Sequence, residues 1–462
     1  MADLLARLAD AIGPDAVKSA PEDLAAYSFD GFSQSPPPRA VVLPAGTKDV
    51  CAVVRIARAC GEPIVARGAG TGLCGASTPT SGGVVVSFAR MNRVLQLDAP
   101  NRRARVQPGL INLDLSHATK EHGLFYAPDP SSQKISTIGG NVGTNAGGPH
   151  CLSYGTTTNH VLGLEIVDEC GDVCWTSVDE PGYDLTGVLV GSEGTLALTT
   201  AIDVRLMRVP EDVRVFVAAF ADVEAASACV SAIIAAGLTP TALEIMDALI
   251  TRAVEHAFHA GYPTDAGAVL LVEIAGAREE AAAAEETVGR LAREDGALSW
   301  RAARTEAERA VLWAGRKGAA GAVGQLAPNY YIQDACVPRT RLPQALHAVC
   351  AIAAEYHLQI GNVFHAGDGN LHPLMLFDRR DPRSVAAIFA AGSAILEACI
   401  ALGGTISGEH GIGHEKRDSL RLVFSSADLA TMGRLRSVFD PSGSFNPDKI
   451  FPSGAGCAEV RR

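Results

Sequence analysis

The chain has 462 residues, with 51 acidic against 39 basic side chains and a formal net charge of −12. That length exceeds one ordinary core, so two or three domains are expected. The acidic balance and the lack of a basic stretch argue against a nucleic-acid partner and give no reason to expect binding to acidic lipid.

The opening Met1-Ala-Asp-Leu-Leu-Ala-Arg-Leu-Ala-Asp10 has neither a basic n-region nor an apolar h-region, so no secretory signal is expected. No apolar run is read as reaching the roughly 18 residues of a membrane span. Eleven cysteines are scattered along the chain, and the Cys170–Cys174 pair alone has close spacing. An odd count without a signal points to reduced thiols in a cytosolic setting.

Residues 1–35 read as a helix and a loop ending at Ser35-Pro-Pro-Pro38. Ala40–Leu43 reads as a strand, and Thr47 is expected to cap a helix over Lys48–Cys60. Strands follow at Pro63–Ala66, Gly83–Phe88, Val94–Leu97 and Ala104–Gln107. Near residue 210 the texture changes: Ala/Glu-rich helices such as Arg278–Glu294 alternate with β runs such as Val269–Ile274. Pro210-Glu-Asp212 is the expected domain boundary, and no internal repeat is present. Glycine density returns at 361–413, and the tail Phe445–Phe451 follows a polar helical stretch.

Three glycine-rich segments stand out. In Ala66-Arg-Gly-Ala-Gly-Thr-Gly-Leu-Cys-Gly-Ala76 the spacing of Gly70, Gly72 and Gly75 matches GxGxxG. A dinucleotide loop of the Rossmann type needs a helix to start there, and Ser77-Thr-Pro-Thr-Ser-Gly-Gly83 cannot supply it. What survives is a loop whose backbone N–H groups can approach an anion, with Arg67 beside it. The run Ala127–Gly148 carries five glycines among Ser, Thr and Asn donors, suited to wrapping a large polar cofactor rather than packing a core. Gly191-Ser-Glu-Gly-Thr-Leu196 leads into a strand.

The C-terminal half holds a different constellation. In Val363-Phe-His-Ala-Gly-Asp-Gly-Asn-Leu-His-Pro-Leu374, Asp368-Gly369 reads as the central pair of a tight hairpin turn. Counting outward pairs His365 with His372, with Cβ atoms roughly 5 Å apart. Ser407-Gly-Glu-His-Gly-Ile-Gly-His414 adds Glu409 and His410. Two facing imidazoles and a carboxylate make a transition-metal site with open positions.

Together these segments resemble the FAD-linked oxidases of the vanillyl-alcohol-oxidase type. The C-terminal motifs resemble the family's 2-hydroxy-acid branch, which includes D-lactate, D-2-hydroxyglutarate and glycolate-oxidising enzymes. Leu312-Trp-Ala-Gly-Arg-Lys317 and His259-Ala-Gly-Tyr-Pro263 match as well, and the likeness covers nearly all of the chain beyond residue 35.

The resemblance implies an α+β fold: an N-terminal segment (1–35), a two-subdomain FAD domain (36–210), an antiparallel-sheet substrate domain (211–413) and a helical tail (414–462) returning to the FAD domain. Carried over, Arg67, Gly68, Ala69, Gly70, Thr71, Gly75 and Ala76 resemble the pyrophosphate loop. Pro128, Asp129, Ser131, Gly139, Asn141, Thr144, Asn145, Gly147 and Gly148 resemble the flavin wrap. Glu193, Gly194 and Ile202 resemble adenine-side contacts, and Asn446 the tail residue that closes over the flavin. Some members tether FAD through a His in the first loop; this loop has none, so dissociable FAD is expected. Tyr330-Tyr-Ile-Gln-Asp334 lacks the lysine of the 2-hydroxyglutarate enzymes, which favours a smaller acid.

The chemistry implied is oxidation of glycolate or D-lactate. His365, His372 and Glu409 would hold a divalent ion, zinc before manganese or iron, that stabilises the forming alkoxide. His410 would accept the hydroxyl proton, and Arg316 would clamp the carboxylate. The family's glycolate branch works with a second flavoprotein subunit and an iron–sulfur subunit; the dispersed cysteines here cannot hold a cluster. A partner or a quinone acceptor is therefore implied, with any inner-membrane association through that partner. A metal hydrolase on the same ligands and a scaffold holding FAD for electron relay remain the competing classes.

Overall fold

The computed structural model describes residues 2–79 and 82–452, so Thr80 and Ser81 of the Ser77–Gly83 run after the first glycine loop lie outside the described residues. Two compact units form. One holds residues up to 147, 155–209 and the chain from 409; the other holds 148–154 and 210–408.

The first unit contains two sheets. The four-stranded one runs in the order Val17–Lys18, Ala40–Val42, Val84–Ser87, Ile64–Arg67. The first pair is antiparallel and the rest parallel. Its three parallel strands are short apolar runs buried at nearly every position, as parallel strands require. The helix Thr47–Ala59 covers one face through Val50, Val53, Val54 and Ala57, and Leu4 and Leu8 of the helix Ala2–Ile12 complete that cluster. The N-terminal segment is thus part of this core. Thr47 is the first helical residue; Gly46 occupies the cap position, and Asp49 accepts the Ala45 N–H at 2.8 Å.

The five-stranded sheet is antiparallel, in the order Val94–Asp98, Arg103–Val106, Leu198–Arg205, Val161–Val167, Val173–Ser177. The glycine-rich 127–148 run contributes to its core. Ile138–Thr144 is a short helix, capped by Thr137, whose side chain accepts the Gly140 N–H. Ile138 and Val142, four apart and so on one face, pack with Leu164, Ile202 and Val204. The expectation of a purely polar wrap is corrected here: two apolar residues at helical spacing outweigh the glycines between them. The tail returns through the helix Ser426–Phe439. Phe445 then bridges Ile64 at the edge of the four-stranded sheet and is fully buried.

The second unit is an eight-stranded antiparallel sheet with helices. Its order is Ser299–Ala302, Asp212–Phe220, Ala268–Gly276, Ala242–Asp247, Ile360–His365, Asn370–Phe377, Asn329–Ile332, with Ala335–Cys336 also pairing along 370–377. The central strands are apolar at almost every position and buried on both faces. Ile250, Val254, Leu312 and Val323 pack against Val215, Val217, Val269 and Leu271.

The sequence expectation of no membrane-length apolar run is also corrected. The helix Pro382–Ala401 is long and apolar enough, by length and composition, to cross a membrane. Ile388, Ala391, Gly392, Ile395, Leu396 and Cys399 form one buried face, and the helix packs on the Asn370–Phe377 strand and on the helix Leu342–Glu355. That is how a core helix is placed.

Candidate functional site

In the first unit the three glycine segments converge. A Cβ on Gly68 would lie 2.3 Å from Thr137 Oγ1, so the first loop touches the cap of the Ile138–Thr144 helix with no room for a side chain. Glu193 N–H donates to Gly143 O at 2.8 Å and Gly191 N–H to Val142 O at 2.8 Å, joining the third segment to the second. Asn446 joins the tail to the first and third segments: its Nδ2 donates to Ala76 O at 2.8 Å and to Glu193 O at 2.6 Å. Arg67 ends its strand buried, its guanidinium against Gly70 and 5.5 Å from the Tyr27 ring centroid. Burial pushes its pKa below the usual arginine value.

The individual residues divide in character. Pro128 and Asp129 are buried and Ser131 is exposed. Pro128 O accepts from Asn112 Nδ2 at 2.9 Å. Asn145 turns left-handed to end the helix and accepts the Thr158 N–H. Ile202 spends its side chain in the five-stranded sheet's core. The Glu193 carboxylate accepts the N–H groups of Ile412 and Gly413 at 2.7 and 2.8 Å. Burial pushes its pKa up to about 7, against the pull of those two donors. Asn141 Nδ2 and Asn446 Oδ1 are buried and lack a hydrogen-bond partner among the described residues. Buried amides with unmet polar atoms, beside glycines that admit no Cβ, fit a large polar cofactor such as FAD.

In the second unit the hairpin register differs from the sequence count. His365 lies opposite Asn370, and His372 opposite Val363. Residues 366–369 form a four-residue loop, with Gly369 N–H donating to His365 O at 3.1 Å. Gly369 has φ +80°, and a Cβ there would lie 2.1 Å from Val337 O. The Asp-Gly pair therefore sits at the end of a longer loop rather than at the centre of a two-residue turn. His365 and His372 become diagonal neighbours on one face of the sheet, which long side chains still bridge. Their ring centroids are 5.2 Å apart at 89°.

Two buried carboxylates support them, and sequence reasoning missed both roles. Both oxygens of Glu244 lie 2.8 Å from His365 Nδ1, and Glu244 also pairs with Arg316. Glu244 and Arg316 are 1% and 4% exposed, so each neutralises a charge that burial would otherwise forbid. A proton on Nδ1 facing Glu244 leaves the Nε2 lone pair for a metal, the arrangement that orients ligating histidines. Arg316 is thus held by Glu244, and its Nε has no partner among the described residues. Asp334 lies 3.5 Å from His372 Nε2. The signal for Glu244 was available: an acid flanked by apolar residues within the strand Ala242–Asp247 must be paired to be buried.

Glu409 and His410 belong to the first unit, where His410 Nε2 is 3.8 Å from Glu409 Oε1. His365 and His372 belong to the second unit. Two imidazoles, one with its lone pair directed by a buried acid, are a donor set that suits a divalent transition ion.

Comparison with known proteins defines the class. Residues 38–177 match the FAD binding domain model, and 209–450 match the model for FAD linked oxidases, C-terminal domain. The chain belongs to the FAD-linked oxidases and is an FAD-binding oxidoreductase. It is 44% identical over 442 residues to the glycolate oxidase subunit GlcD of Escherichia coli strain K12, covering 95% of this chain and 89% of that one. It is 34% identical to the D-lactate dehydrogenase of Archaeoglobus fulgidus, covering 92% and 95%. Among solved structures, p-cresol methylhydroxylase with substrate bound superimposes with a TM-score of 0.81 at 16% identity, over 97% of this chain and 96% of that one. That likeness confirms the α+β fold of the FAD-binding type with its antiparallel-sheet domain.

Proposed function

We propose that this chain oxidises a short 2-hydroxy acid, glycolate or D-lactate, to the 2-oxo acid. The observation that carries the reading is the buried Glu244, which holds both His365 and Arg316. One carboxylate thereby positions a metal-ligating imidazole and an arginine suited to a substrate carboxylate. The relatives named for glycolate and D-lactate support the substrate class.

FAD, bound without a covalent tether, would rest on the three glycine segments of the first unit; a divalent ion, zinc first, would take His365, His372 and Glu409. When bound, FAD supplies a hydride acceptor and the ion supplies positive charge where the substrate oxygen becomes negative. The chain's own residues do the rest. Arg316 binds the carboxylate through the donors Glu244 leaves open. His410 takes the hydroxyl proton on a ring nitrogen, imidazole being the side chain type suited to proton transfer near neutral pH. His365 keeps its Nδ1 proton toward Glu244 throughout.

Electrons leave to a partner subunit or a quinone, a reading supported by the Escherichia coli relative being named as a subunit. A cytoplasmic enzyme, attached to a membrane only through such a partner, fits this scheme. A larger acid such as D-2-hydroxyglutarate is the second reading, supported by a D-2-hydroxyglutarate dehydrogenase relative at 32% identity.

The test is anaerobic addition of glycolate, each lactate and D-2-hydroxyglutarate to the FAD-loaded protein. Bleaching of the flavin band by glycolate or D-lactate is expected. A band that no 2-hydroxy acid bleaches overturns the proposal.

A further inference from the structure

The dipeptide Glu409-His410 sits where the chain passes from the second unit back into the first. On its N-terminal side, Asp334 is fully buried and holds the two preceding residues. Its Oδ2 accepts from Ser407 Oγ at 2.7 Å and its Oδ1 from the Gly408 N–H at 3.0 Å. On its C-terminal side, in the first unit, Glu193 accepts the Ile412 and Gly413 N–H groups. Space is equally constrained. A Cβ on Gly408 would lie 2.5 Å from the Asn370 amide, one on Gly411 2.6 Å from Glu193 Oε1, and one on Gly413 2.1 Å from Cys74 O.

We infer that Asp334 and Glu193 are a matched pair of positioning residues: each buried carboxylate fixes the backbone on one flank of Glu409-His410, so that ligand and base are presented together. The inference rests on the function proposed above for those two residues. Three backbone N–H groups in this short stretch end on carboxylates rather than on other backbone. Such bonds are roughly twice as strong as neutral ones when the acceptor is ionised, so the segment is held without helix or strand. A loop fixed this way can carry left-handed glycines and still keep one geometry.

The two carboxylates differ in what replaces them. Both Glu193 oxygens face N–H donors, so Glu193→Gln sets an amide donor against a donor. Asp334 accepts one N–H and one hydroxyl, with His372 Nε2 3.5 Å from its Oδ1, and a hydroxyl can also accept. Asp334→Asn can therefore keep both bonds, with Asn Nδ2 donating to Ser407 Oγ, whereas Asp334→Ala loses both.

The experiment is amide hydrogen exchange on the full-length, FAD-loaded chain, read by mass spectrometry over 405–415, with zinc per flavin measured on the same samples. In Asp334→Ala and Glu193→Gln, exchange at 408–413 is expected to quicken about tenfold or more, with zinc per flavin falling. Asp334→Asn is expected to keep the wild-type exchange pattern. Unchanged exchange in both disruptive variants overturns the inference, as does Asp334→Asn behaving like Asp334→Ala. Should Glu193→Gln fail to fold, Asp334→Ala and Ser407→Ala against Asp334→Asn decide it alone. If the wild type takes up no zinc and its flavin is not bleached by any 2-hydroxy acid, the proposed function fails, while the exchange pattern still decides the positioning claim.

Discussion

His365 Nδ1 lies 2.8 Å from both oxygens of Glu244, although 121 residues separate the two in sequence. The same carboxylate holds Arg316, so removing its charge leaves a guanidinium buried without a counter-ion. Glu244→Gln is expected to lower stability by about 3 kcal/mol or more, read as a shifted denaturant midpoint. It is also expected to slow flavin reduction, because imidazole and guanidinium lose their common support. A variant with wild-type midpoint and wild-type reduction rate would remove Glu244 from this account.

The hairpin loop makes a second prediction. Gly369 is left-handed, and its missing Cβ leaves room for Val337 O. Gly369→Ala adds backbone strain to a collision with main chain, costing about 2 kcal/mol or more. Gly367→Ala meets only the flexible end of Leu152, at 2.6 Å, and is expected to cost less. Thermal melts of the two variants give the order directly; Gly367→Ala melting below Gly369→Ala would contradict the loop geometry.

Glu193 predicts a pH dependence. Burial raises its pKa to about 7 from an ordinary 4.5. The folded chain then keeps a proton that the unfolded chain releases between those values, so the folded state is favoured at low pH and loses stability as pH rises through 4.5 to 7. The full contribution is on the order of 3 kcal/mol. Buried Lys449, pulled down to about 8, acts in a separate window above that. Urea midpoints at several pH values should fall across the lower window, and more gently in Glu193→Gln. A flat profile in the wild type rules the shift out.

Metal removal gives the fourth prediction. Chelation followed by gel filtration is expected to abolish flavin reduction by glycolate while the flavin absorbance stays with the protein. Adding zinc should restore the reaction, because the proposed ligands do not include the glycine segments that hold FAD. Full activity after complete chelation would exclude the metal.

Much of this was legible in the sequence, for identifiable reasons. The helix Arg278–Glu294 was read to the residue because Ala and charge alternate at helical spacing. The Rossmann reading fails within the sequence itself, because Ser77–Gly83 offers no run suited to start a helix. The hairpin was found but miscounted: Asp-Gly signals a turn, not its length, and the Val337 O that crowds Gly369 comes from over thirty residues away in sequence. The Ile138–Thr144 helix was hidden by its glycines. Glu244 and Asp334 were missed because their partners come together only through the sheet, and local pattern carries no information about which acid meets which base.

The short segment 148–154 belongs to the second unit although the chain on either side of it belongs to the first. There His150 Nε2 meets Glu273 Oε1 at 3.0 Å, Trp313 Nε1 donates to the same carboxylate, and Leu152 fills the space beside Gly367. A gene fragment encoding only 210–408 would therefore lack the peptide that seals its own sheet. No single continuous stretch of the reading frame therefore encodes the whole of the second unit and nothing else.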